Sequence, residues 1–170
     1  MGRMFFAIWP EHAAAKELAR VGESLAELAG GNPMPAEKIH MTLAFLGALD
    51  EERIGAAVLA AGPVKASAVT MAIDTVGSFR RARVGWAAPG QPVESLARLQ
   101  SLLAAELRGR GFALEDRAFT PHATLVRKLG RPVPHSPMPP VEWRSRAFTL
   151  VETTGDGRYE IRESWGLRAT

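Results

Sequence analysis

Two apolar runs of strand length, far apart in the chain, carry the same short pattern, and a fold that uses both must bring them together. The first is Ile39-His40-Met41-Thr42-Leu43-Ala44-Phe45-Leu46-Gly47; the second, Pro121-His122-Ala123-Thr124-Leu125-Val126-Arg127, repeats His-x-Thr-Leu 82 residues later. Successive side chains of a strand point to opposite faces. His40 and Thr42 therefore share one face, and Met41, Leu43 and Phe45 the other. The same parity separates His122 and Thr124 from Ala123 and Leu125. Each strand presents an imidazole beside a hydroxyl and anchors itself by its opposite face.

The segments around these strands read as an α+β chain. Met4 to Trp9 is an apolar strand ended by Pro10, which also suits the first position of a helix. Ala14, Leu18, Val21, Leu25 and Leu28 recur at steps of four and three, the inner stripe of an amphipathic helix stopped by Gly30-Gly31-Asn32-Pro33. The first His-x-Thr strand is expected over about 38–46. Asp50 then caps a short helix with Ile54, Val58 and Ala61 inward, ended by Gly62-Pro63. Residues 68–77 and 83–88 read as strands joined by Ser78-Phe79-Arg80-Arg81-Ala82, the densest basic cluster in the chain. A second long helix has Val93, Leu96, Leu99, Leu103 and Leu107 on its inner stripe. A short strand is expected at 112–114 and the second His-x-Thr strand at 119–127. The five prolines between 130 and 140 predict a loop, and two strands, near 143–152 and 159–167, flank a turn at Gly155-Asp156-Gly157. A long helix precedes each His-x-Thr strand, and each half adds a strand pair. This order predicts a duplicated α+β lobe, with residues 1–170 as a single domain of two intertwined lobes and no independent linker.

Composition narrows the chemistry. With no cysteine, disulfides, zinc–thiolate sites and iron–sulfur clusters are excluded. No apolar run is long enough for a signal peptide or a bilayer span, so a cytoplasmic protein with no membrane partner, acting as a monomer, is expected. The net charge of +3 permits a phosphate-bearing partner without requiring one. Neither His-x-Thr strand carries Asp or Glu at ligand spacing, and no His-Glu-x-x-His helix exists, so no metal and no cofactor are expected. A Gly-x-Ser-x-Gly turn, a dinucleotide fingerprint and a P-loop are all absent. A single histidine in an apolar strand is usually a hydrogen-bonded core residue. Two imidazole–hydroxyl pairs at matching places in two halves are hard to explain by packing.

General acid–base chemistry fits best. A neutral imidazole can take a proton from water while a protonated one gives a proton to a leaving oxygen. Thr42 and Thr124 add hydroxyl donors for an anionic centre between them. A phosphodiester, with attacking and leaving oxygens in line, meets these demands. The near symmetry of the two motifs leaves open which histidine is the acid.

These residues resemble the two-histidine phosphoesterases, and within them the RNA 2',3'-cyclic phosphodiesterases, also called 2'-5' RNA ligases. The resemblance runs from Arg3-Met4-Phe5-Phe6-Ala7-Ile8 through both His-x-Thr runs and Arg83-Val84-Gly85-Trp86 to Arg158-Tyr159-Glu160. It implies two pseudo-symmetric lobes, each an antiparallel sheet with helices on its outer face, forming a V-shaped cleft between the sheets. It also implies metal-independent hydrolysis of a terminal 2',3'-cyclic phosphate to a 2'-phosphate, possible in reverse as 2'-5' ligation. His40 would be the proton donor to the departing 3'-oxygen and His122 the proton acceptor from water. Thr42 and Thr124 would hold the non-bridging oxygens. Arg127 matches the family's arginine after the second motif and would counter the phosphate charge, yet regular parity turns it away with Leu125 unless a bulge intervenes. The implied partners are RNA ends or nucleotide cyclic phosphates. Phe5, Phe79, Arg80 and Arg81 are candidate RNA contacts, against the plainer readings of Phe5 as core and of the arginines as a solvated face. Two other functions suit the same residues: a phosphodiesterase for small cyclic nucleotide-like or 2'-5'-linked substrates, and a non-catalytic RNA-end binding module.

Overall fold

The structure, a computed structural model, describes residues 2–169. Among these, three α-helices pack on a nine-stranded antiparallel sheet. The strands are β1 (Arg3–Ile8), β2 (Asn32–Pro33), β3 (Met41–Ala48), β4 (Val69–Phe79), β5 (Val84–Ala88), β6 (Ala123–Arg127), β7 (Ser136–Ser145), β8 (Ala147–Thr153) and β9 (Tyr159–Gly166). The helices are α1 (His12–Ala29), α2 (Glu51–Ala61) and α3 (Glu94–Gly109). Strand order is β7-β4-β5-β6-β3-β1-β8-β9, with β2 also on β6. At the centre, β3 and β6 are joined through one residue pair, Met41 with Ala123. To either side lies a well-paired set of four strands, β6-β5-β4-β7 and β3-β1-β8-β9.

One core ties these sets together. Leu18 and Leu25 of α1, Ile54 and Ala57 of α2, and Leu96, Leu99, Leu103 and Leu107 of α3 bury against Met41, Ala123 and Leu125. The helix that precedes the first motif packs behind the strands of the second, since α1 lies on β5, β6 and β7 while α3 reaches β3 and β4. Neither half of the sheet could bury its inner face without residues from the other.

Both central strands carry a β-bulge at the same point of the motif. Against β1, Phe6 pairs with Ala44 and Ala7 with Thr42, so Leu43 is the extra residue. Against β5, Gly85 pairs with Val126 and Trp86 with Thr124, so Leu125 is the extra residue. A bulge takes its residue out of the ladder and shifts the face of everything beyond it. The carbonyl freed at Leu43 accepts from Gln100 Nε2 of α3 at 3.4 Å, and that of Leu125 accepts from the Met34 backbone N–H at 2.7 Å. Both buried acceptors are thus satisfied.

Several expectations need correction. Leu28 is 70% exposed and Ala29 takes its place in the core, because the α1 stripe runs through Leu18, Gly22, Leu25 and Ala29, with Val21 partly buried at its edge. Pro10 stands ahead of α1, whose N-cap is Glu11. Residues 112–114 form no strand. The proline-rich segment is not all loop: Pro137, Pro139 and Pro140 lie in β7, an edge strand. An edge tolerates a missing N–H, and Pro139 and Pro140 fall within the register break between the Thr75–Pro137 and Ile73–Val141 pairs. The strand expected over 143–152 is broken at Arg146 into β7 and β8, which belong to different sets of four. Asp50 does cap α2, its side chain accepting from the Arg53 N–H at 2.8 Å.

Gly22 shows how closely helix and bulge approach, since a Cβ there would lie 2.8 Å from the Leu125 carbonyl oxygen. Helix propensity favours Gly22→Ala by up to ~1 kcal/mol, whereas overpacking costs about 1–3 kcal/mol. The variant should therefore be less stable by up to about 2 kcal/mol in chemical denaturation. An increase in stability would contradict this close approach.

Candidate active site

The site is built outward from the Met41–Ala123 pair. Both residues are fully buried against the helices. By alternation their neighbours His40, Thr42, His122 and Thr124 face the helix-free side, and all four are partly exposed. The same register sets His40 across from Thr124 and Thr42 across from His122. The four polar groups of the two motifs thus form a quartet on one face.

Each imidazole is held in the same way. His40 Nδ1 lies 2.8 Å from the Lys38 carbonyl oxygen, and His122 Nδ1 lies 2.9 Å from that of Thr120. A carbonyl only accepts, so each Nδ1 carries a proton, and in the neutral ring Nε2 is left as the basic nitrogen. The backbone selects one tautomer twice.

The surroundings of the two rings differ. His40 stacks on Phe5 at 5.0 Å between ring centroids, with Trp9 at 5.1 Å and the edge of Tyr159 at 5.4 Å. Trp9 is fixed by its Nε1–H donating to Thr149 Oγ1 at 2.9 Å. Lys38 Nζ donates to the Gly157 carbonyl at 2.8 Å and lies 5.2 Å from the Tyr159 ring centroid, bracing the β8–β9 turn against this cluster. His122 has one aromatic neighbour, Phe79, perpendicular to it at 5.0 Å. Phe79 leans on Trp86 at 5.8 Å, and Trp86 lies over Gly77, where a Cβ would come within 2.4 Å of the indole.

Burial among the aromatic rings pushes the His40 pKa down to about 4, against a counteracting hydrogen bond to the Lys38 carbonyl. The positive charges of Arg127 and His122 lower it further. In the free site His40 is therefore neutral near pH 7.

The bulges place two more residues on this face. Beyond Leu125, Val126 turns inward opposite Gly85 and Arg127 comes out on the side of Thr124, where its charge reaches His40. Regular parity fails at Arg127 for this reason. Beyond Leu43, Phe45 pairs with Phe5 and is 57% exposed, so it belongs to the His40 face rather than the anchoring face expected for it. Phe5 lies beneath His40 with 5% of its surface exposed. Phe79 is 37% exposed, and Arg80 and Arg81 are exposed in the turn after β4. Reading the sequence missed Trp9, Tyr159 and Phe45. Trp9 carried a signal, sharing strand parity with Phe5 and Ala7, while Tyr159 lies in the Arg158-Tyr159-Glu160 run of the resemblance, which gave it no place beside His40. Among the described residues no group of three or more His, Asp or Glu side chains is placed to hold a metal ion. No helix among them is long and apolar enough to cross a membrane.

Comparison with known proteins finds relatives of nearly the whole chain. The family described as LigT-like phosphoesterase matches residues 8–86. The RNA 2',3'-cyclic phosphodiesterase of Escherichia coli (strain K12) is 31% identical over 170 residues, covering 97% of this chain and 96% of that protein. The RNA 2',3'-cyclic phosphodiesterase of Thermotoga maritima is 27% identical over 164 residues, covering 89% of this chain and 87% of that protein. The crystal structure of E. coli LigT complexed with 3'-AMP superposes with a TM-score of 0.88 at 29% identity, covering 98% of each chain. The chain belongs to the LigT-like, two-histidine phosphoesterases.

The depressed pKa of His40 has a consequence for stability. Between about pH 4 and pH 6.5 the unfolded chain binds more protons at this position than the folded one. Stability contributed here therefore rises with pH across that window and is level above it, by roughly 3 kcal/mol at most. Denaturation of wild type and His40→Asn from pH 7 to pH 4 should show the wild type losing stability more steeply. Parallel curves would contradict the buried, neutral imidazole.

Proposed function

We propose that this protein hydrolyses the 2',3'-cyclic phosphate at an RNA end to a 2'-phosphate, using His40 and His122 as a metal-independent acid–base pair. The observation that carries the reading is the quartet of two imidazoles and two threonines across the Met41–Ala123 pair. Two relatives spanning most of the chain are named RNA 2',3'-cyclic phosphodiesterase, which supports the same substrate. One chain supplies the whole arrangement, which supports a single domain of two intertwined lobes acting as a monomer; the cytoplasm is the compartment proposed for it.

In this mechanism water attacks phosphorus while His122, in its Nδ1–H form, takes the proton at Nε2. The bond from phosphorus to the 3'-oxygen breaks on the opposite side, and His40 gives that oxygen a proton; the 2'-oxygen stays bonded to phosphorus. Thr42 and Thr124 donate to the non-bridging oxygens. Arg127 offsets the negative charge of the phosphate, with Arg80 and Arg81 adding positive potential on the His122 half. The difference between the two halves supports this division of roles. Phe45 and the Trp9–Tyr159 cluster around His40 suit the nucleoside that carries the leaving 3'-oxygen, while the less enclosed His122 suits water. Burial is the main cause of the depressed His40 pKa; an arriving phosphate anion favours the protonated ring and offsets the smaller effect of Arg127, so substrate itself helps load the acid with its proton.

An oligoribonucleotide ending in 2',3'-cyclic phosphate, incubated with chelator present, should give a 2'-phosphate end. His40→Ala and His122→Ala should each lower the rate by about two to four orders of magnitude. The pH–rate profile should be bell-shaped, its limbs belonging to the coupled pair. Activity abolished by chelator would sink the mechanism, and tight binding without product would favour an RNA-end binding module.

A further inference from the structure

A cavity of about 500 Å³ adjoins the His40 aromatic cluster, lined by Trp9, Glu11, Arg144, Arg146 and Thr149 among others. The Trp9 indole is shared between the two places: its ring lies 5.1 Å from His40, and its Nε1–H donates to Thr149 Oγ1 at 2.9 Å. Thr149 pairs with Ala7, and Ala7 with Thr42, so all three share the helix-free face. Arg144 follows the fully buried Trp143 along β7 and takes the opposite side of the strand. Its Nε is buried with no hydrogen-bond partner among the described residues. Arg146, at the break between β7 and β8, is exposed, with Glu11 Oε1 4.0 Å from its guanidinium. Two guanidiniums against one carboxylate leave the cavity cationic. An unpaired buried donor beside them costs free energy unless something accepts from it.

We propose that this cavity binds the phosphate on the 5'-oxygen of the terminal nucleotide, with Arg144 as its principal ligand and Arg146 in support. The proposal rests on the reading that the ribose, whose 3'-oxygen leaves phosphorus, lies on the His40 half. The 5'-phosphate is then one sugar away from the reacting phosphorus, in the direction of Trp9. A guanidinium fork matches phosphate oxygens geometrically as well as in charge. The subsite lets the enzyme distinguish a nucleotide at the end of a chain from an isolated nucleoside cyclic phosphate.

Three substrates test this: a nucleoside 2',3'-cyclic phosphate with a free 5'-hydroxyl, the same compound with a 5'-phosphate, and a dinucleotide ending in the cyclic phosphate. For Arg144→Gln, kcat/KM on the dinucleotide relative to the 5'-hydroxyl compound should fall by about tenfold. If the 5'-phosphorylated mononucleotide loses as much, the subsite accepts any 5'-phosphate; if only the dinucleotide loses, it requires the chain diester. Arg146→Gln, at an exposed position, gives the same comparison with a smaller loss should Arg144→Gln not fold. Ratios equal to wild type in a folded variant overturn the subsite and leave the proposed reaction standing. Wild type that hydrolyses none of the three removes the proposed reaction itself.

Discussion

The two sets of four strands meet in the sheet through one residue pair, Met41 and Ala123, and this narrow contact determines where every polar group of the site falls. Because both residues are buried against the helices, their neighbours must face the other way. The bulges at Leu43 and Leu125 then turn each strand after its threonine, bringing Phe45 and Arg127 to the same face. Each bulge has an external partner for its freed carbonyl, Gln100 from α3 or the Met34 backbone. The helices therefore do more than cover the sheet. At Leu43 a helix side chain meets the freed carbonyl, and at Leu125 the α1 backbone packs closely at Gly22 while Met34 meets the carbonyl.

On this nearly symmetric backbone the side chains are asymmetric. Both imidazoles are oriented by a carbonyl two residues earlier, which leaves their intrinsic chemistry alike. Phe5, Trp9 and Tyr159 then enclose one ring, whereas Phe79 touches the other edge-on. Desolvation of this kind disfavours the charged form of histidine, and with the smaller effect of the nearby Arg127 charge it keeps His40 neutral in the free site. A duplicated frame can thus support an acid and a base without different local motifs. The difference is made by strands β1 and β9, which pack around only one of the two histidines.

Much of this was legible in the sequence. The helices followed from their apolar stripes, Asp50 from its capping position, and the quartet from strand parity around Met41 and Ala123. Parity failed beyond the bulge one residue past each threonine, misplacing Phe45 and Arg127 three residues on, because a bulge depends on what its neighbours can accept and leaves no local mark. Proline content likewise suggested a loop where an edge strand forms, since only tertiary placement decides whether a missing N–H matters. Tyr159 could not be read from the residues around it, because its role comes from the pairing of β9 with β8 and of β8 with β1. Local pattern sets which residues face together; long-range pairing sets what surrounds them.

The central claim is that both imidazoles act on one phosphorus from opposite sides. The most direct measurement is a crystal structure with a nucleoside 2',3'-cyclic vanadate, whose five-coordinate vanadium mimics the transition state. The account predicts His40 Nε2 within about 3 Å of the apical 3'-oxygen and His122 Nε2 within about 3 Å of the opposite apical oxygen. Thr42 and Thr124 should meet the equatorial oxygens. Vanadium bound with only one imidazole in reach, or with both on the same side of it, would contradict the account.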